Sequence, residues 1–209
     1  MTEGSATPAL SPLPTDSWAH ESGVESLYSY DPAKAKELLT EAGYPDGITV
    51  TVGQIDNPYY ARLSQAIQDM VKESGFTFEL ETVTGAEINN RLYQLKDLPV
   101  AITAFRGTSD PGLTLEQKFS STGNSNPAGT TAEGIDDLLA QGASSVDRDV
   151  RAEAYGQVEQ LVMENALSIP IFHNGGLVAY VPELKGVEKG YTTCQFGDFV
   201  SADVYFEQD

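Results

Sequence analysis

Between Tyr30 and Phe105 the chain alternates strand-length apolar runs with capped amphipathic helices, in steps of about 25 residues, and this alternation limits the folds open to it. Asp31 is placed to cap a helix whose first turn holds Pro32, with Ala35, Leu38, Leu39 and Ala42 turned inward and Gly43 at its end. The strand Ile48–Val52 follows. Asn57 or Asp56 caps the next helix, with Pro58 in its first turn, an inward stripe of Tyr60, Leu63, Ile67, Met70 and Val71, and Gly75 closing it. Phe76–Leu80 alternates as a strand. Thr84 and Glu87 form a capping box for a third helix that would bury Ile88, Leu92 and Leu95, and the apolar run Val100–Phe105 comes after Leu98-Pro99. Strands joined by helices need crossover connections, so the expectation is an α/β fold with a mostly parallel or mixed sheet flanked by helices.

The stretch from Ile135 to Pro182 follows a different local order. Ile135, Leu138 and Leu139 recur at helical spacing, and after Ser144-Ser145 a second stripe runs through Val150, Ala154, Val158, Leu161 and Val162. Ser168–His173 and Leu177–Val181 then read as two short strands around Asn174-Gly175-Gly176, a sequence suited to a tight turn. The domain reading is a lead-in over 1–30, an α/β lobe over 31–184 and a C-terminal tail over 185–209. Pro8, Pro12 and Pro14 keep the lead-in out of regular structure, leaving a linker or a pinned surface segment, and Trp18 reads as a core anchor. The run 123–129 reads as an exposed loop.

Charge excludes some partners. With 31 acidic against 12 basic residues the net charge is −19, which opposes phosphate backbones and anionic membrane surfaces, so no nucleic-acid partner is expected. Cys194 is the only cysteine, which rules out an intramolecular disulfide or a cysteine zinc cluster. No apolar run approaches the roughly 20 residues a bilayer span requires.

Catalysis finds no support in the motifs. The sequence has no Gly-x-Ser-x-Gly elbow, no His-Glu-x-x-His and no phosphate-cradling Gly-x-x-x-x-Gly-Lys. His20 and His173 are its only histidines, and His173 ends an apolar strand, where a satisfied core or edge histidine is the ordinary case. Asp136-Asp137 and the pair Asp147/Asp149 read as solvated helix faces. Binding is the stronger reading: no enzyme, no cofactor and no metal are expected. In open α/β sheets ligands collect beyond the carboxyl ends of strands, and Phe105-Arg106-Gly107-Thr108-Ser109-Asp110-Pro111 occupies that position. Arg106 suits an anionic ligand group or a surface ion pair, Thr108 and Ser109 offer hydroxyls and amides, and Asp110 suits a turn or helix cap. The ligand-binding candidates are Phe105, Arg106, Gly107, Thr108 and Ser109, with Gln54 from the end of the first strand.

Three ordered runs carry a family resemblance. They are Tyr30-Asp31-Pro32 through Gly43-Tyr44-Pro45-Asp46-Gly47, then Phe105 to Asp110-Pro111 with its following helix, then Arg151-x-x-x-Tyr155 with Pro170-Ile171-Phe172-His173 and Leu184-Lys185-Gly186. The lead-in, from Pro8-Ala9 to Ser17-Trp18, matches as well. Together they resemble the C-terminal part of the family 5 extracellular solute-binding proteins, the dipeptide-, oligopeptide- and nickel-binding components of ABC importers. The resemblance implies a lobe of the periplasmic-binding-protein type II fold that holds a peptide or related small solute against a first lobe preceding this chain. It further implies the importer's membrane subunits as partners, and a place in the periplasm or on the outer face of the cell membrane, secreted or lipid-anchored. The peptide-binding branch pairs the peptide's amino group with an aspartate where this chain has Gly107. It pairs the carboxylate with an arginine in the region of Gln54-Ile55-Asp56, so a neutral or differently charged ligand fits these departures. A protein-interaction or sensor module on the same lobe is the alternative.

Overall fold

The computed structural model describes residues 6–105, 107–126, 129–174, 179–187 and 204–207. In chain order the elements are β1 (Ala6–Pro8), α1 (Pro32–Glu41), β2 (Ile48–Ile55), α2 (Pro58–Val71), β3 (Phe76–Val83), α3 (Gly85–Asn89), β4 (Val100–Ile102), α4 (Pro111–Phe119), α5 (Ile135–Ala143), α6 (Arg148–Glu164), β5 (Phe172–Asn174), β6 (Leu184–Lys185) and β7 (Tyr205–Phe206). They fall into two compact units. The first is Glu25–Phe105 with Lys118–Thr131; the second holds the described residues of 2–24, 106–117 and 132–209.

The first unit is built on a three-stranded parallel sheet in the order β3-β2-β4. Central β2 pairs on both edges, with Val52 opposite both Leu80 and Val100, and Val52 is fully buried. The helix starts are those the sequence specifies. Asp31 accepts from the Lys34 amide, Asn57 from Tyr59 and Thr84 from Glu87, so each side chain satisfies a backbone donor that the first turn leaves open. Gly43, at φ 93°, takes the left-handed conformation past the end of α1. Val83, Ile88 and Leu98 form a small core with Ile55, Leu92 and Ala101 packed on it.

Three inward stripes are narrower than expected. In α1 only Leu39 is buried while Leu38 is exposed, because α1 packs on the Lys72–Ser74 turn instead of lying across the sheet. In α2 Leu63 is buried but Met70 faces solvent. After α3 the chain continues as a π turn over Asn90–Leu95, whose wider rotation carries Leu95 away from Ile88 and leaves it exposed. Arg91 within that turn is tied to Glu81 (2.6 Å) and Asp97 (3.1 Å).

In the second unit α5 and α6 pack on one another, burying Ile135 and Leu139 from one and Ala154, Tyr155, Val158 and Val162 from the other. The lead-in is held in three ways. Its residues Ala6–Pro8 form a strand antiparallel to β5, with Thr7 opposite His173. Ser11 Oγ donates to the Leu13 carbonyl at 2.9 Å. The third tie is Glu159 of α6, fully buried, which accepts from the amides of Leu13 (3.0 Å) and Glu21 (2.7 Å) and lies 3.0 Å from His20 Nδ1. A carboxylate out of water is tolerated when donors fill its lone pairs, and these do.

The pairing of β1 with β5 corrects the expected hairpin. Ser168–Ile171 is not strand, Asn174 belongs to β5 and not to a turn, and 179–181 forms no strand; Gly175–Val178 lies outside the described residues. The partner edge that a local turn would have supplied comes from the far end of the chain. In the tail, Leu184–Lys185 pairs antiparallel with Tyr205–Phe206, and Lys185 meets Glu207 at 3.0 Å. Cys194, with the rest of 188–203, and 208–209 lie outside the described residues. Among those described, no helix is long and apolar enough to cross a membrane.

Candidate functional site

At the carboxyl edge of the parallel sheet the strands stop unevenly. Strand β2 runs to Ile55, three residues past its expected end, while β4 stops at Ile102 and leaves Thr103–Phe105 beyond the ladder. Gln54 sits between Thr82 and Ile102 in the register. It is buried, its Nε2 donates to Thr82 Oγ1 at 2.9 Å, and its Oε1 is buried with no hydrogen-bond partner among the described residues. An unsatisfied buried carbonyl costs on the order of 1 kcal/mol or more unless a water or a ligand donates to it.

Phe105, half-buried, is covered by a residue that the sequence reading passed over. Lys118, near the end of α4, holds its ammonium 4.6 Å from the Phe105 ring centroid and 5.6 Å from that of Phe119. Burial pushes its pKa below the usual lysine value. The other partly buried basic side chains described are paired: Arg91 with Glu81, Arg151 with Asp110 and Lys185 with Glu207. Among the described residues Lys118 has rings only. The signal was present in sequence, since Lys118 follows Leu115 by three residues and adjoins Phe119, on the apolar side of its helix.

The turn before α4 belongs to the second unit. Gly107 and Ser109 are exposed. Thr108 is occupied internally, because its amide donates to Thr114 Oγ1 (2.8 Å) and its hydroxyl to the Asp110 carbonyl (2.6 Å). Asp110 is the structural turn residue the sequence suggested: Oδ1 accepts from the Gly112 amide (2.8 Å) and Oδ2 from Arg151 (2.6 Å). Burial raises the pKa of this carboxyl, but the bonds from Arg151 and from the Gly112 and Leu113 amides outweigh it and hold the group below its ordinary value. Arg106 lies outside the described residues.

The Arg151-x-x-x-Tyr155 motif acts as a buttress for that turn. Arg151 bonds Asp110 while its guanidinium lies 5.2 Å from the Trp18 ring and 5.5 Å from the Tyr155 ring. Its pKa is raised, first by the Asp110 bond and then by Tyr155. Buried Tyr155 lies over Gly112 and Gly142, where a Cβ at either position would overlap its ring. Trp18 is half-buried and stacks at 6.2 Å from Tyr155 with Arg148 also over its face, so it anchors the lead-in. Among the described residues no group of three or more His, Cys, Asp or Glu side chains could hold a metal ion.

Comparison with known proteins decides the family. Residues 1–126 match the model of bacterial extracellular solute-binding proteins, family 5 middle. The chain belongs to this family. Heme-binding protein A of Haemophilus influenzae is 30% identical over 203 residues, covering 93% of this chain and 36% of that protein. A dipeptide-binding protein of Escherichia coli is 26% identical over 203 residues, covering 93% of this chain and 37% of its own length. Among solved structures, the periplasmic binding protein DppA of Helicobacter pylori, in complex with the peptide STSA, superposes with a TM-score of 0.81 at 24% identity, over 99% of this chain and 40% of that one. HbpA2 of Haemophilus parasuis gives 0.74 at 27% identity, over 83% and 35%. The fold is accordingly the type II periplasmic-binding-protein fold, α/β with a helix-flanked parallel sheet, in a family whose members are extracellular solute-binding proteins. It spans a little over a third of the length of the curated relatives it matches.

Proposed function

We propose that this chain is the C-terminal lobe of a substrate-binding component of an ABC importer for peptides or a related small solute. The solute is held between this lobe and a first lobe, and the closed form is presented to the importer's membrane subunits. The parent protein works in the periplasm or on the outer face of the membrane, secreted or lipid-anchored. Gln54 and Phe105 contact the solute at the sheet edge, and Arg106, Gly107, Thr108 and Ser109 are further candidate contacts from their place in the sequence after β4. The observation that carries this reading is the carboxyl edge of the parallel sheet, where Gln54 keeps a buried unpartnered oxygen and Phe105 projects past the end of β4, in a chain of a solute-binding family. Names of relatives that bind dipeptides or heme support a small organic solute. An isolated lobe holds part of such a site and binds weakly, because burial on closure is missing.

Mass spectrometry of small molecules released from the full-length protein tests the reading. The expected result is a bound peptide or similar solute, lost or depleted on Phe105→Ala. A protein that carries no solute and shows none of the resonance changes described below with added peptide would refute it.

A further inference from the structure

The chain has far more carboxylates than cations, so a partly buried lysine without one is a departure that needs a cause. Every other partly buried cation described has a carboxylate within 3.1 Å. Lys118 has the faces of Phe105 and Phe119 and no ion pair or hydrogen bond to any described residue. A cation over an aromatic ring gains roughly 0.5–2 kcal/mol, less than a hydrogen-bonded carboxylate at a partly buried position supplies. The ammonium keeps three donors that no described residue accepts from. It stands beside Phe105, the aromatic residue at the sheet's open carboxyl edge.

We infer that Lys118 is the anchor for a carboxylate of the bound solute, with the Phe105 ring bordering the part of the solute that carries it. The inference rests on the solute-binding reading given above and narrows it to solutes with a free acid. One ammonium matches one single negative charge, and the chain's net charge of −19 discriminates against phosphates and other polyanions that would need more than one cation. The ring supplies apolar contact to the carbon next to the acid and, by excluding water, strengthens the ion pair. Lys118 is therefore a specificity residue: it selects acids over their neutral analogues.

The test titrates trialanine and its C-terminal amide into the full chain, labelled with carbon-13 at lysine Cε, and follows the Lys118 resonance together with the backbone amides of Gln54 and Phe105. The acidic chain as a whole favours the more cationic amide, so a preference for the acid reports a local cation. Trialanine is expected to shift the Lys118 resonance to saturation and to bind about tenfold more tightly than the amide. Lys118→Met, which keeps the length of the stem and removes the charge, is expected to erase that preference, and Lys118→Arg to retain most of it. In the absence of peptide the Met variant should melt at or above the temperature of the parent. Equal binding of the two peptides, or a preference that survives Lys118→Met, overturns the assignment of Lys118 while leaving the solute site standing, because Gln54 and Phe105 would still respond. If neither peptide moves the Gln54 or Phe105 amides, the solute site falls and this assignment falls with it. A melting temperature several degrees lower in the Met variant, with both peptides lost, would assign Lys118 to packing and also overturn the inference.

Discussion

Glu159 is fully buried and Lys118 partly buried, one in each unit, and the chain treats the two charges in opposite ways. Glu159 collects two backbone amides and a histidine ring nitrogen, and through them it fastens the lead-in to α6. Lys118 is given two aromatic rings and, among the described residues, no counter-charge. The first arrangement is complete without any other molecule and is structural. The second is incomplete, and incompleteness at a sheet edge is where binding energy is kept in reserve. Gln54, with one satisfied end and one unsatisfied end, falls on the same side of this contrast as Lys118.

The comparison breaks if Glu159 proves dispensable. Glu159→Ala strands the Leu13 and Glu21 amides and frees the lead-in, and it is expected to cost about 3 kcal/mol or more, read by urea unfolding. Glu159→Gln, which keeps an acceptor, should cost clearly less. Next in size is Gly142→Ala, whose new methyl would enter the Tyr155 ring. That ring is fixed by its neighbours, so a loss of about 1–3 kcal/mol is expected, again in the second unit. Gly53→Ala is the matched change in the first unit. Its Cβ would meet the end of the Leu98 side chain, which can turn aside, so a loss under about 1 kcal/mol is expected.

The smallest effect sharpens the contrast through pH. Asp110 has its folded-state pKa held below the unfolded value, so the stability it contributes is fully present above about pH 4 and is lost as pH falls through the depressed value. Asp110→Asn should flatten that part of the acid unfolding profile and leave the profile near neutrality shifted by a constant offset. For Lys118 the sign is opposite. A lysine with a lowered folded pKa carries a cost at neutral pH, relieved as pH rises toward its unfolded value, and the difference between the parent and Lys118→Met should shrink over that alkaline range.

What the sequence made legible was local. Asp31 with Pro32, Asn57 with Pro58 and Thr84 with Glu87 each announce a helix start within four residues, because the cap and the amides it satisfies are neighbours in the chain. The strand, helix, strand order of the first unit followed from them. The pairing of β1 with β5 joins residues far apart in sequence, and nothing near His173 indicates that Thr7 will lie opposite it. Glu159 was hidden for another reason: a glutamate in a helix reads as solvent-facing, although Tyr155, Glu159, Val162 and Met163 lie on one face and all four are buried. At the candidate site, position beyond the strands could be inferred, and it led to Phe105 and Gln54. For Lys118 the sequence shows a lysine on the apolar side of its helix, and the coordinates add that it has no counter-charge among the described residues.

Strand β1 has a consequence for the order in which the protein is made. The sheet of the first unit can close once Ile102 has left the ribosome, whereas Ala6–Pro8, synthesised far earlier, has to wait for Phe172–Asn174. From its synthesis until then the segment is a strand edge without a mate, and Pro8 within it removes one backbone donor from that edge, which disfavours pairing with the wrong chain.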